Sequence, residues 1–233
     1  MKRVLFLLAV FLLVLPVSAA LATPIGGLSY NVGGPGFSLS SGVGYLQRDI
    51  HVFEDDEIVD EAASSRWFVK LNIGPIDYLD FYGTIGAADF KLADSNYRGN
   101  LATVYGGGLR PQIFPMWLFK SNLVVTADLQ YLAFTTEDEI NGKDIEARYQ
   151  EFQAALVIAY RLKGIVPYGG LKYNPINVDF TGTKNDMRGD MDAGVFIGTD
   201  YFVTPSVFFN AELSIFSETS IFLMVGYGYP AQH

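Results

Sequence analysis

The chain has 233 residues, of which 50% are apolar, and contains no cysteine. Its 25 acidic and 16 basic residues give a formal net charge of −9 at pH 7, which disfavours nucleic acid as a partner because phosphate binding requires positive charge. The lack of cysteine excludes a disulfide framework, thiolate catalysis and cysteine-based metal sites. The length fits one domain, since all-β barrels reach this size as a single unit.

The first 22 residues have the organisation of a secretory signal peptide. Lys2 and Arg3 form a positive n-region, residues 4–15 form an apolar h-region, and residues 20–22 form a small-x-small cleavage site. The alternative, a retained transmembrane helix, is disfavoured because the apolar run before Pro16 is short for a span. We therefore predict residues 1–22 as a leader and residues 23–233 as one mature domain, which begins with a Gly/Pro-rich irregular stretch.

Alternation of apolar and polar residues is the main pattern of the mature chain. Every second residue of 207–215 is apolar, and the pattern resumes in 221–229 after the polar connection Ser217-Glu218-Thr219. Two such runs predict an antiparallel hairpin, and each has about the ten residues that a tilted strand needs to cross a bilayer. Eight further segments are predicted as strands by the same pattern: 37–45, 66–74, 79–88, 101–113, 122–131, 151–162, 168–180 and 190–201.

The predicted connections alternate in length. Those after the second, fourth, sixth and eighth strands are short, whereas residues 54–65, 94–100, 135–146 and 181–190 are read as longer polar loops. The short connection before the last strand is the exception. Within the seventh strand we expect a bulge at Pro175, because proline cannot donate to a ladder. Long loops at one end and tight turns at the other are typical of an up-and-down barrel.

Alternation alone does not decide which face of the barrel is inside. A soluble barrel of the lipocalin type would bury the apolar face, and a membrane barrel would turn it outward. The polar face is rich in glycine and alanine, which suits a crowded lumen, and its charges are single residues of both signs, unlike a dense soluble surface. Tyrosines near strand ends fit interfacial girdles. The sequence thus predicts an all-β fold, a closed antiparallel up-and-down transmembrane β-barrel, with ten strands favoured and eight as the alternative.

From residue 37 to residue 229 this pattern resembles that of the small outer-membrane β-barrel proteins of the OmpA/OmpX type. The resemblance implies a monomer in the bacterial outer membrane, with both termini in the periplasm. Its implied partners are outer-membrane lipids, lipopolysaccharide and the barrel-assembly machinery. The usual eight strands of that family differ from the ten predicted here. Tyr227 and Tyr229 occupy the aromatic positions of the family's assembly signal, although Met224 replaces an expected glycine and Pro230–His233 extend beyond it.

The polar face of the predicted barrel would carry ionisable side chains into the lumen. Ions in a narrow lumen must be paired or hydrated. One interpretation is a salt-bridge network that plugs the barrel, and the other is a small pore or ligand cavity with the same charged lining. A ten-stranded barrel is only slightly wider than the eight-stranded barrels that side chains fill. The predicted lumen charge network is Lys70, Asp80, Arg110, Asp128, Glu151, Arg161, Lys172, Asp192, Asp200 and Glu212.

Few residues of the sequence are candidates for chemistry. His51, near Asp49, could act as a base, but no serine motif accompanies it, and His233 is the last residue. The carboxylates of residues 54–60 could bind Ca²⁺ or bridge through divalent cations to lipopolysaccharide, yet their spacing matches no EF-hand loop. We therefore expect no catalytic, metal or cofactor site. The predicted role is structural or in surface interaction, with a narrow diffusion channel as the alternative and an enzyme as the third.

Overall fold

The computed structural model describes residues 24, 36–52, 58–76, 78–114, 122–140, 142–181 and 187–230, so the predicted leader lies outside the described residues. No helix in these ranges is long and apolar enough to cross a membrane. The described strands are β1 (Gly36–Val52), β2 (Ile58–Ile76), β3 (Leu79–Leu92), β4 (Arg98–Phe114), β5 (Leu123–Ile140), β6 (Lys143–Tyr160), β7 (Ile165–Tyr173), β8 (Ile176–Phe180), β9 (Met187–Gly189), β10 (Ala193–Thr204), β11 (Val207–Ile215) and β12 (Thr219–Pro230).

Ten of these strands close into an antiparallel ring. Each of β1 to β6 pairs with the next strand, β7 pairs with β10, and β10, β11 and β12 follow in order. The ring closes where β12 pairs with β1, from Gly36↔Pro230 to Gln47↔Thr219. Closure leaves no free sheet edge in this ring, as hydrocarbon surroundings require. The predicted ten-stranded, up-and-down transmembrane barrel is confirmed.

A second circuit of pairings joins eight strands at the opposite end from Gly36 and Pro230. We call the end with Gly36 the lower end and the opposite end the upper end. Toward the upper end β8 continues along β6, and β9 pairs with both β8 and β1. On the side away from β2, strand β1 therefore changes its partner. It pairs with β12 as far as Gln47 and with β9 from Ile50 onward. The wall narrows from ten strands to eight above the β11–β12 hairpin.

The outward face changes from apolar to polar along the long strands. On β1 the exposed apolar residues end at Tyr45, and the next outward residue is Gln47. On β2, β5 and β6 the exposed apolar face ends at Trp67, Tyr131 and Phe152. These limits define an apolar belt around the lower part of the barrel, which we call the membrane barrel. An apolar band of this kind with aromatic residues at its rim is characteristic of barrels in lipid.

The inward face changes in the opposite sense at the same level. Below the upper limit of the belt, many of the inward residues are charged, polar or glycine, whereas most of those above it form an apolar core. The eight-stranded part above the belt, which we call the upper barrel, is therefore built like a soluble barrel. Its core consists of Ile50, Ala62, Ala88, Phe90, Leu92, Tyr97, Val104, Leu132, Phe134, Ala147, Tyr149, Ile176 and Val178.

Two segments predicted as acidic loops are largely strands of the upper barrel. Residues 58–65 belong to β2, and residues 135–146 are the ends of β5 and β6 around the turn at Gly142. Glu61, Glu137, Glu139 and Glu146 are exposed on its outer face, whereas alternate residues, including the polar Asp60, Ser64 and Thr136, are buried inside it. The prediction of long loops was wrong here because the strands continue past the membrane: β1 has 17 residues and β2 has 19.

The expected bulge at Pro175 is also wrong. Asn174 and Pro175 separate β7 from β8, but both strands pair with β6 in one register, with Ala154↔Tyr173 on one side and Glu151↔Ile176 on the other. A bulge would add a residue to one strand and shift that register. The proline therefore interrupts the ladder without changing it.

Candidate functional site

Eight of the ten predicted lumen charges are buried inside the barrel. The other two are partly exposed: Arg161 follows β6 at the lower end, and Asp192 precedes β10 near the level where the wall narrows. Arg161 lines a cavity of about 450 Å³ together with Phe202 and Pro205, and partial burial lowers the pKa of its guanidinium. The buried eight, which the structure places in several separate groups, are Lys70, Asp80, Arg110, Asp128, Glu151, Lys172, Asp200 and Glu212.

The first group surrounds Asp128, which is completely buried on β5. Nε and one terminal nitrogen of Arg110 each lie 2.9 Å from its Oδ2, and Tyr82 Oη donates to its Oδ1 at 2.7 Å. Lys70 Nζ lies 3.9 Å from the centre of the Tyr82 ring. Asp80 is the register partner of Arg110 on the neighbouring strand. Two-point contact with Arg110 and a second donor offset the cost of burying this carboxylate.

The second group lies on β7, β10 and β11 in the lower part of the lumen. Tyr168 Oη donates to Glu212 Oε2 at 2.8 Å. Asn210 Nδ2 lies 2.8 Å from that hydroxyl and 2.6 Å from Asp200 Oδ1. Within the described part of the chain, the buried amide oxygen of Asn210 has no hydrogen-bond partner. Lys70 interacts electrostatically with both carboxylates and so connects this group with the first.

The third group connects the charged lumen with the core of the upper barrel. Arg66 donates to Glu151 Oε2 at 2.9 Å, and Tyr149 Oη donates to the same oxygen at 2.9 Å. The guanidinium carbon of Arg66 lies 4.9 Å from the centre of the Tyr149 ring and 5.6 Å from that of Phe134. The buried ion pair is therefore covered by aromatic rings on its upper side.

The fourth group lies where the wall narrows from ten strands to eight. Glu218, at the tip of the β11–β12 hairpin, accepts hydrogen bonds from Lys172 Nζ, from Asn174 Nδ2 at 2.9 Å and from Ser220 Oγ at 3.2 Å. Burial opposes its ionised form, but the charges of Lys172 and Arg48 outweigh burial and hold the pKa of Glu218 below its ordinary value. The hairpin tip is thus fixed from inside the barrel.

Arg48 joins Asp192 to this fourth group. One terminal nitrogen of Arg48 donates to the carbonyl of Asn174 at 3.2 Å. The other lies 3.9 Å from Asp192 Oδ1 and donates to the Met191 carbonyl at 3.4 Å. The guanidinium spans the break between β7 and β8 and the start of β10.

Sequence reasoning missed Arg48, Arg66 and Glu218 as lumen residues. The inward residues of β1 and β2 have even numbers, as Arg48 and Arg66 do. Extending the two predicted strands toward the upper end would therefore have placed both arginines in the lumen. Glu218 was predicted to lie in a polar connection, and alternation within strands cannot indicate a turn whose side chain is buried inside the barrel. The tyrosines that hold the carboxylates, Tyr82 and Tyr168, lie on the inward face but carry no charge.

Glycines on the inward face leave room for these tyrosines. A Cβ atom at Gly108 would lie 2.5 Å from Tyr82 Oη, and one at Gly198 would overlap the ring of Tyr168. A larger residue at either position would displace the tyrosine from its carboxylate. The glycine-rich polar face is therefore part of the geometry of the two lower groups.

Several inward side chains of the membrane barrel have polar atoms with no hydrogen-bond partner among the residues that the structure describes. Both polar atoms of the Gln130 side chain, the hydroxyls of Thr84 and Thr126, and Nε2 of Gln153 are buried in this way. Buried polar atoms in native proteins are normally satisfied, by ordered water where the protein offers no partner. These residues give this part of the lumen a locally polar lining.

The histidine and acidic residues considered for catalysis or metal binding are placed apart from the lumen groups. His51 Nε2 lies 2.6 Å from Asp190 Oδ1 on the wall of the upper barrel. Asp60, expected in a solvated loop, is buried and accepts from the backbone nitrogens of Asp94 at 2.7 Å and Ser95 at 2.8 Å. Residues 54–57 lie outside the described residues. Within the described ranges, no group of three or more His, Asp or Glu residues could hold a metal ion.

The sequence matches no protein-family model and no curated protein. The structure is similar to an outer membrane channel from Pseudomonas putida F1, with a TM-score of 0.51, 10% identity, and coverage of 89% of this chain and 100% of that chain. It also matches the translocator domain of the autotransporter NalP from Neisseria meningitidis (TM-score 0.48, 12% identity, 88% and 91% coverage) and the outer membrane protein OprG from Pseudomonas aeruginosa (0.42, 12%, 87% and 100%).

At sequence identities of 10–12%, these similarities show the fold alone. The first of the three similarities, with a TM-score above 0.5, agrees with the transmembrane barrel that strand pairing and the apolar belt establish. The specific resemblance to the OmpA/OmpX type stays a prediction.

Proposed function

We propose that this protein is a monomeric β-barrel of the bacterial outer membrane that acts at the cell surface through its upper barrel and does not conduct solutes. In this proposal the chain is exported by cleavage of residues 1–22 and inserted by the barrel-assembly machinery. The observation that carries it is the apolar core of the upper barrel, which lies over the charged lumen.

The centre of this core is formed by packed aromatic rings. The ring of Phe90 lies 5.7 Å from that of Tyr149, 6.2 Å from that of Tyr97 and 6.4 Å from that of Phe180. A hydrated path through the barrel would have to cross this cluster, and exposing apolar side chains to water is unfavourable. The Arg66–Glu151 pair lies directly beneath it. These contacts support a lumen plugged by the protein's own side chains.

The outer face of the upper barrel supports a role at the surface. The β5–β6 hairpin exposes the acidic residues Glu137, Glu139, Asp144 and Glu146. The chain enters β1 and leaves β12 at the lower end, where tight turns also lie, so barrels of this class would place that end in the periplasm. The acidic face would then meet cations outside the cell, including divalent cations that bridge to lipopolysaccharide phosphates.

A narrow diffusion channel is the second candidate function. It is favoured by the polar atoms of Gln130, Gln153, Thr84 and Thr126 that have no partner in the described ranges, which would line a wetted path through the membrane barrel. Such a channel would require the aromatic core above it to open.

Conductance in a planar bilayer separates the two functions. We expect no discrete openings from the wild type and new small openings from Phe90→Ala, because that change removes the central ring of the upper core. Leu101→Ala, on a side chain that is 71% exposed, is the matched control and should stay closed. Discrete openings of the wild type whose size changes with Arg110→Gln would contradict the plugged barrel and support the channel.

We propose no enzymatic activity. The His51–Asp190 pair resembles two members of a hydrolase triad, in which the second ring nitrogen would contact a nucleophile. Among the described residues, no group hydrogen-bonds to the buried Nδ1 of His51, so this part of the chain supplies no hydroxyl group for such a triad.

A further inference from the structure

We infer that a pocket on the outer face of the upper barrel binds the phosphorylated sugar headgroup of lipopolysaccharide directly, with Lys91 and Arg98 as the phosphate ligands. The inference rests on the proposed function for its orientation, in which the upper barrel faces outward from the outer membrane. It places this contact away from the acidic β5–β6 hairpin and makes it independent of bridging divalent cations.

The pocket is a cavity of about 200 Å³ on the outer face of β2, β3 and β4. Its lining includes two cations, Lys91 and Arg98, together with the carboxylate residue Glu61 and the amide residue Asn96, and all four residues are exposed. Guanidinium and ammonium groups bind phosphate oxygens, and carboxylate and amide oxygens accept hydrogen bonds from hydroxyl groups. This combination matches a sugar phosphate better than a bare phosphate, which the carboxylate would repel.

The two cations of the pocket face each other across the sheet. Lys91 on β3 and Arg98 on β4 are register partners, and like charges directly opposite each other destabilise a sheet. Asp89 offsets one of them, since its Oδ2 lies 2.5 Å from Lys91 Nζ. The backbone nitrogen of Arg98 donates to Asp138 Oδ2 at 2.6 Å, but its guanidinium has no partner in the described ranges. A phosphate group bound between the two side chains would remove the repulsion and satisfy the guanidinium.

The turn between β3 and β4 is fixed before any ligand binds. Asp60 is 1% exposed, and its carboxylate accepts from the backbone nitrogens of Asp94 at 2.7 Å and Ser95 at 2.8 Å. The next residue, Asn96, has a φ of 53°, a left-handed conformation that asparagine tolerates better than most residues. The buried carboxylate of Asp60 is thus a positioning group for the turn that brings Asn96 to the pocket.

The height of the pocket above the apolar belt favours lipopolysaccharide over phospholipid. Trp67 is the last exposed apolar residue of β2, and Ala63 and Glu61, which line the pocket, lie four and six residues beyond it. At about 3.3 Å per residue along a strand tilted by about 40°, the pocket lies roughly 10–15 Å above the belt. A phospholipid headgroup layer is only about 5–7 Å thick on each side of the hydrocarbon core. The ligand is therefore a lipid whose polar headgroup extends further from the membrane.

Binding of purified lipopolysaccharide tests this inference. Rough-type lipopolysaccharide with a phosphorylated inner core is titrated into the detergent-purified barrel, and the complex is quantified by native mass spectrometry. EDTA is present so that divalent cations cannot bridge the ligand to the acidic hairpin. We expect the double variant Lys91→Gln, Arg98→Gln to bind at least about tenfold more weakly than the wild type, a loss of about 1.4 kcal/mol. The matched control Lys143→Gln, Arg148→Gln removes the same charge from exposed positions of β6 and should bind as the wild type does.

Two further comparisons separate the pocket from general charge attraction. Asn96→Gly removes the amide and suits a positive φ, so it should fold normally and weaken binding by a smaller factor. Lipopolysaccharide treated with phosphatase should bind the wild type at least about tenfold more weakly than untreated lipopolysaccharide, and this comparison decides the question if the double variant fails to show heat-dependent gel mobility. Equal weakening in both double variants, equal affinity for treated and untreated lipopolysaccharide, or equally tight binding of phosphatidylglycerol vesicles would overturn the inference.

Labelling of intact cells distinguishes failure of this inference from failure of the proposed function. A membrane-impermeant amine reagent should label Lys143, which is exposed on the β5–β6 hairpin, before the cells are broken. Labelling that requires cell lysis would overturn the orientation in the proposed function and this inference with it. Labelling of intact cells by a barrel that does not bind lipopolysaccharide would overturn this inference alone.

Discussion

Lys172 on β7 and Glu218 at the tip of the β11–β12 hairpin form an ion pair in which each side chain is only 2% exposed. The pair lies at the level where β1 exchanges its partner β12 for β9. Asn174 and Ser220 donate to the same carboxylate. A short hairpin that ends below its neighbours is thus attached to the wall from inside, which explains how ten strands can continue as eight.

Neutralising one member of this pair should destabilise the barrel strongly. Removing one partner of a buried ion pair leaves an uncompensated charge and costs about 3–5 kcal/mol. We expect this loss in the free energy of unfolding for Glu218→Gln or Lys172→Met, measured by urea titration in lipid vesicles. The double variant should recover part of it. Lys91→Met is the control, because the Lys91 side chain is 49% exposed and surface pairs contribute less than about 1 kcal/mol.

The contribution of Glu218 should depend on pH in a defined direction. Its pKa lies below the ordinary value of 4.5 because Lys172 and Arg48 outweigh the effect of burial. A carboxyl group with a lowered pKa stabilises the folded state above its unfolded pKa, and this contribution is lost as the pH falls through the folded pKa. The stability difference between wild type and Glu218→Gln should be full at about pH 7 and much smaller at about pH 3. Equal differences in urea midpoint at both pH values would contradict this assignment.

The core of the upper barrel should be separable from the membrane barrel. Phe90 is 1% exposed, and replacing a buried phenylalanine by alanine costs about 3–5 kcal/mol. We expect Phe90→Ala to increase amide hydrogen exchange in the β5–β6 hairpin while the strands within the apolar belt keep their protection. Ile85→Ala, at an outward side chain that is 60% exposed, should leave the hairpin unchanged. Equal loss of protection in both parts would show that they unfold as one unit.

The membrane barrel could be predicted from the sequence because one physical rule governs it along every strand. Lipid outside and a crowded polar lumen inside impose period-two alternation, so residues such as Leu71 and Lys70 reveal their faces directly. The upper barrel follows the same period with the faces exchanged. Leu132 and Phe134 lie on the same inward face of β5 as Asp128, but apolar residues were not expected in a polar lumen. The acidic residues on the outer face were therefore predicted to belong to a loop.

The ion pairs of the lumen could not be predicted in the same way. The period-two alternation places Lys70, Asp128 and Glu212 inside the barrel. Which charged side chains pair with each other depends on the strand register and on their positions around the ring. Arg66 and Glu151 are far apart in the sequence and lie 2.9 Å apart in the structure. Such pairing requires the closed ring.

The last strand should carry a requirement for assembly at its lower end. Tyr229 is the register partner of Phe37, and their rings are stacked with centres 6.1 Å apart, so this tyrosine lies at the closing seam. We expect replacement of Tyr227 and Tyr229 by serine to remove most of the protein from the outer-membrane fraction, measured by immunoblotting. Tyr131→Ser is the control, since Tyr131 is similarly exposed at 45% but lies near the upper limit of the belt. Normal membrane levels of the double variant would refute an assembly role.

Gly198 should be required for the Tyr168–Glu212 hydrogen bond. A Cβ atom at this position would overlap the tyrosine ring, and the ring cannot move away without leaving Glu212, to which its hydroxyl donates at 2.8 Å. Overpacking of this kind costs about 1–3 kcal/mol, and we expect that loss of unfolding free energy for Gly198→Ala in urea titration. Gly83→Ala is the matched control on another strand, because a Cβ atom there meets no atom within 4 Å. If both variants unfolded at the same urea concentration as the wild type, the ring would have room to move and the inward glycines would not determine the position of the tyrosine.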